Sequence, residues 1–141
     1  DRRAARQFER ASQARPRRRA GAQHEYGLSQ RQFPNGIRTA WAAGKPVING
    51  WLSIGSPFTA EIMAAQGYDA LTVDMQHGAL GYEALLPMLQ AVRGSPVTPM
   101  ARVPWLSAGD LMKALDAGAY GIICPMINTR ADAELLASDV R

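Results

Sequence analysis

From Asn35 onward, short apolar runs alternate with helical segments, and each change is marked by a cap, a proline or a glycine. Asn35 caps a short predicted helix, Gly36 to Ala43, that Gly44 ends. Val47 to Ile54 reads as a strand, and Ser56-Pro57 supplies a cap with proline at the first helical position. That helix runs to Gln66 and stops at Gly67. Asp69 to Asp74 is the second predicted strand; a helix follows over about Glu83 to Val92, its first turns loosened by Pro87. Thr98 to Val103 is the third strand, and Ser107-x-x-Asp110 has the spacing of a capping box for a helix ending at Gly118. Tyr120 to Cys124 is the fourth strand, and Thr129-x-x-Asp132 opens a last helix that reaches the C-terminus. An order β-α-β-α-β-α-β-α implies a parallel sheet with right-handed crossovers. The fold class is α/β.

Two architectures fit this order, a four-stranded open sheet or half of a (β/α)8 TIM barrel. A complete barrel takes about 250 residues, and this chain has 141. It also stops in a charged helix, so the expectation is a barrel truncated to its first four βα units, residues 34–141. Residues 1–33 form the other expected region, a disordered tail rich in Arg, Ala and Gln with no hydrophobic period. The formal charge of +4 belongs to that tail, because residues 1–19 hold eight arginines against Asp1 and Glu9. The remaining residues are net acidic and give no sign of nucleic-acid binding. For the tail itself, nonspecific binding to nucleic acid or anionic lipid, organelle targeting and no function are the three readings, and the last is preferred. The chain begins with Asp, which favours upstream or vector-derived sequence; His24, in this tail, is given no role. No apolar run approaches the ~18 residues needed to cross a membrane. The single cysteine, Cys124, permits no internal disulfide and makes a reducing, cytoplasmic location the default; in Gly121-Ile-Ile-Cys-Pro125 it reads as a small buried hydrophobe.

Ligands of parallel α/β sheets bind at the C-terminal ends of the strands. Strand two ends in Asp74-Met-Gln76-His77-Gly78, strand three in Arg102, and strand one leads through Trp51 to Ser53. Three ionisable residues and a tryptophan therefore fall on one rim. An imidazole titrates near neutrality, so His77 can take and return a proton, with Asp74 or another carboxylate to orient it. The guanidinium of Arg102 suits a carboxylate or an enolate oxygen. Plainer readings stand beside these: Asp74 as a local cap, His77 as an ordinary loop residue, an Arg102–Asp74 salt bridge, Trp51 as core. Asp116 lies near a helix C-terminus, where a carboxylate opposes the helix dipole, a mild conflict that hints at a role. G-x-S-x-G, Walker A, G-x-G-x-x-G and C-x-x-C motifs are absent, and one histidine outside the tail cannot build a multi-histidine metal site.

Seven segments in order resemble the HpcH/HpaI aldolase/citrate lyase family of metal-dependent pyruvate aldolases. They are Asn49-Gly-Trp51-Leu-Ser-Ile-Gly-Ser-Pro57, Ala60-Glu61-Ile62, Gly67-Tyr-Asp69, Asp74-Met-Gln-His77-Gly78, Ala101-Arg102-Val-Pro104, Ala114-Leu-Asp116-Ala-Gly118-Ala and Gly121-Ile-Ile-Cys-Pro125. The resemblance implies a (β/α)8 barrel, a homo-oligomer that is commonly a hexamer, and reversible cleavage of a 4-hydroxy-2-oxo acid to pyruvate and an aldehyde. It implies His77 as general base, Arg102 as the group holding the 2-oxo oxygen and its enolate, and Asp74 in support. Asp116 would pair with the base, with reach to a neighbouring subunit's site. Trp51 would line the substrate pocket with Gln76 nearby. A divalent ion, Mg²⁺, Mn²⁺ or Co²⁺, would polarise the keto group.

Two departures accompany the resemblance. The family's metal-binding Glu and Asp and a pyruvate-contacting Gln lie on later strands, so metal ligands are expected beyond Arg141. Gln76 stands where many relatives carry Glu. A half barrel would also leave two strand edges unpaired, and the 141-residue chain alone is expected to be inactive and poorly soluble or self-associated. The alternatives are a citrate-lyase-like enzyme acting on acyl-CoA, for which residues 34–141 offer no basic cluster, and a non-catalytic half barrel.

Overall fold

The computed structural model describes residues 35–140, and the expected tail, residues 1–33, lies outside them. The elements are α1 Gly36–Ala42, β1 Asn49–Leu52, α2 Pro57–Ala64, β2 Ala70–Asp74, α3 Tyr82–Val92, β3 Thr98–Arg102, α4 Ala108–Asp116, β4 Gly121–Ile123 and α5 Arg130–Asp139. The four strands form one parallel sheet in the order β1-β2-β3-β4. Each strand is thus paired with its neighbour in sequence, and each crossover carries one helix.

Local signals start the helices. The side chains of Asn35, Ser56, Ser107 and Thr129 accept from the amides of Arg38, Thr59, Asp110 and Asp132, satisfying a donor that the first turn leaves orphaned. Only the Thr129–Asp132 pair completes a reciprocal capping box; at Ser107 the bond runs one way. α2 stops at Ala64, short of Gln66, ahead of Gly67 at φ 85°. α3 continues through Pro87.

The first strand is shorter than its apolar run. Before it, the Ile48 amide donates to the Asp69 carboxylate at 2.7 Å, so a side chain ties the strand beginnings together. After it, the Ser53 carbonyl accepts from Ala79, and Ile54 bridges to the same residue, so the chain leaves β2 for the loop that follows it. A proline inside the third strand costs no ladder bond. Pro99 lies on the β4 side, where its carbonyl accepts from Tyr120 at 2.7 Å, and its missing N–H falls just before β4 begins.

One face of the sheet carries the helices. Leu52, Leu71, Val73, Ala101 and Val103 pack with Ala60, Ala64, Leu85, Met88, Leu89, Val92, Leu111 and Ala114 in a single buried cluster. Each large side chain so buried contributes about 1.5–3 kcal/mol. Residues on the other face alternate with these, and that face ends in the polar rim.

Candidate active site

Asp74 and Arg102 are register partners at the ends of β2 and β3. With Ile123, the partner of Arg102 on β4, they form one rung across three strands. Two residues lower on the same face runs the rung Trp51, Thr72, Met100, Gly121. Below that, the Thr72 hydroxyl donates to the Asn49 side-chain oxygen at 3.0 Å and joins β1 to β2.

Asp74 is 3% exposed, and its carboxylate is fully engaged. Oδ1 accepts from Arg102 Nε at 2.7 Å and from the amides of Gln76 and His77 at 3.1 and 3.2 Å. Oδ2 accepts from Arg102 Nη2 at 2.5 Å. The Arg102 guanidinium holds the carboxyl below the usual carboxylate range; burial opposes this, and the two amides reinforce it. The same pair pushes Arg102 upward. One carboxylate therefore anchors both the arginine and the turn that carries the histidine.

That turn is tight. The Gly78 amide donates to the Asp74 carbonyl at 3.0 Å, and a Cβ at Gly78 would sit 2.1 Å from that oxygen. Only glycine permits so close an approach. His77 is exposed, and its imidazole has no hydrogen bond among the described residues. The expected orientation of the ring by Asp74 is not formed, because the Asp74 oxygens go to Arg102 and to backbone; Asp74 fixes the histidine's main chain instead.

The salt bridge held open as a plain reading of Arg102 is present, and it does not exhaust the residue. Nε and Nη2 face Asp74, and Nη1 has no partner among the described residues. The guanidinium also lies over the Trp51 ring, 4.5 Å from its centroid. Trp51 is thus at the rim, 44% exposed, and outside the core. Gln76 is half-buried in the same turn. Asp116 is not brought to this rim. It ends α4, exposed, just before the segment in which Tyr120 pairs with Pro99 near the start of β3. This is the opposite end of the sheet. Cys124 is half-buried behind the sheet, where burial pushes its thiol upward.

Among the described residues no three His, Cys, Asp or Glu side chains converge on a metal position. Asp74, the carboxylate at the rim, is spent on a cation and two amides, so these residues do not fit a divalent ion.

The HpcH/HpaI aldolase/citrate lyase family model matches residues 48–141. The chain belongs to this family. A hydroxypyruvate/pyruvate aldolase from Rhizorhabdus wittichii is 45% identical over 104 residues, covering 74% of this chain and 41% of that protein. A 5-keto-4-deoxy-D-glucarate aldolase from Escherichia coli is 31% identical over 109 residues, 77% of this chain and 43% of its own length. Among solved structures, an HpcH/HpaI family protein from Burkholderia cenocepacia superimposes with a TM-score of 0.72 at 33% identity, over 76% of this chain and 43% of that one. The chain spans about two-fifths of the length of the curated relatives it matches. The HpcH/HpaI match takes in every rim residue named above, from Trp51 to Arg102, and Asp116 as well.

Acid titration separates the contribution of the pair. The folded protein binds fewer protons at Asp74 than the unfolded chain does, so this contribution is complete above the ordinary value of 3.8 and is lost as pH falls through the lower folded value. Urea unfolding from pH 6 to pH 2 is expected to show a fall below about pH 4 that is smaller in Asp74→Ala.

Proposed function

We propose that the full-length protein is a carbon–carbon lyase that reversibly cleaves a 4-hydroxy-2-oxo acid to pyruvate and an aldehyde. One observation carries the reading: a single carboxylate, Asp74, holds Arg102 across adjoining strand ends and anchors the His77 amide in the following turn. The aldolase names of the relatives support it.

In this reading the bond between C3 and C4 breaks, and its electron pair passes into the enolate of pyruvate. The C4 hydroxyl proton goes to the His77 imidazole, and C4 becomes the aldehyde carbon. The unpaired N–H groups of Arg102 meet the oxygen where negative charge develops, which lowers the barrier more than it aids ground-state binding. A proton from water then completes pyruvate at C3. His77 gives the proton it took to water, so the base is restored and no proton is gained or lost overall. Trp51 and Gln76 border the substrate. The divalent ion, Mg²⁺, Mn²⁺ or Co²⁺, takes its ligands from residues outside those described. The sheet is completed to a (β/α)8 barrel in a cytoplasmic homo-oligomer, commonly a hexamer in this family. Asp116, remote from its own rim, serves a neighbouring subunit's site.

The test is to supply the full-length protein, with each divalent metal in turn, a panel of 4-hydroxy-2-oxo acids. Pyruvate and aldehyde are expected in equal amounts, with pyruvate followed through a coupled reductase. No pyruvate from any member of the panel overturns the reading.

A further inference from the structure

We propose that Trp51 is a positioning residue that aims the guanidinium of Arg102, and is more than a wall of the pocket. The inference rests on the aldolase reading above. Trp51 stands on β1 and Arg102 on β3, with β2 between them. Alternate strands lie about 9–10 Å apart, so the arginine side chain must cross β2 to reach the indole. On β2 the residue in register with Trp51 is Thr72, fully buried and tied to Asn49. This bond joins β1 to β2 two residues before the tryptophan and on its face of the sheet.

The two bonds from Nε and Nη2 to Asp74 fix one edge of the guanidinium. Two bonds along one edge still leave the plane free to rock about that edge. The indole, its centroid 4.5 Å from the guanidinium carbon, attracts the cation through the negative face of its ring. The bonded edge and the ring that the cation lies over together restrain position and tilt. The Nη1 edge is left open, and its direction is then set before substrate arrives. Preorganised donors of this kind act at the moment charge develops, without reorganising.

Two measurements test this. The first needs no substrate. In the full-length protein, with Trp41→Phe, Trp105→Phe and phenylalanine at any tryptophan beyond residue 141, Trp51 is the remaining tryptophan. Arg102→Gln removes the cation and is expected to shift Trp51 emission in both intensity and wavelength, with circular dichroism confirming the fold. Unchanged emission overturns the contact.

The second uses the full-length enzyme with its metal. Trp51→Leu keeps an apolar cover without a π face, and kcat is expected to fall about tenfold, with KM changing less. Trp51→Phe keeps the ring and is expected to hold kcat within about threefold. A residue that merely lines the pocket would raise KM in both variants and leave kcat alone. That pattern, or equal loss of kcat in the two variants, overturns the proposal. If wild-type enzyme releases no pyruvate, the aldolase reading fails, and the emission experiment still decides the Trp51–Arg102 contact.

Discussion

His77→Asn is expected to lower kcat of the full-length enzyme by about 10² to 10⁴, the usual contribution of a positioned general base. Thermal unfolding should stay within about a degree, because exposed substitutions away from packed or bonded sites change stability little. His77 meets that description: it is exposed, and its ring has no hydrogen bond among the described residues. Its main-chain amide, the part that Asp74 grips, survives the substitution. Activity and stability therefore separate at this position. The measurement is steady-state pyruvate release beside a circular-dichroism melt. A variant with wild-type kcat would remove the histidine from the chemistry, and one that melts much earlier would show that the ring is structural.

Asp74→Ala should behave in the opposite way, with stability and activity falling together. Its carboxylate accepts four hydrogen bonds, two from Arg102 and two from the turn. Removing it leaves two amides and a guanidinium edge without their partner. The cost expected is about 2 kcal/mol, below that of a wholly enclosed ion pair because solvent reaches part of the arginine. Pyruvate release should become undetectable, since the oxygen-binding group and the base lose their common support. The double variant Asp74→Ala, Arg102→Met should recover part of the lost stability, because no unpaired charge remains on the rim. Urea midpoints of the two single variants and the double variant measure the coupling. Strictly additive losses would mean that the pair contributes nothing as a pair.

The helix starts were legible because their signals are local. Asn35, Ser56, Ser107 and Thr129 each cap through a hydrogen bond to an amide three residues on, and such a bond depends on no distant partner. Strand ends were less legible. β1 is trimmed to four residues because the Asp69 carboxylate takes the Ile48 amide and the Ser53 carbonyl turns to Ala79, both choices made by other parts of the chain. The order of the sheet follows from the alternation of elements, and so does the gathering of Asp74, His77 and Arg102 at one end. What a sequence does not reveal is how many bonds one group must share. Asp74 was a candidate orienter for His77 and a candidate partner for Arg102, and these are competing uses of two oxygens. The contact of Trp51 with Arg102 reaches over an intervening strand, and no spacing in the sequence encodes it. Asp116 was singled out by type and by motif, and only the direction of α4 shows that it faces the far end of the sheet.

The sequential order of the strands bears on how the chain acquires its shape. Asn49 meets Ala70, Ala70 meets Thr98, and Met100 meets Gly121, so every pairing closes after a single crossover and none waits for a distant segment. Loop-closure entropy is then met in small instalments, which favours rapid assembly within a class of sheets that otherwise folds slowly. Chains emerge from the ribosome N-terminus first, and domains assemble as they emerge. The first of these crossovers, complete at Asp74, can close while the last, which ends at Ile123, is still being translated.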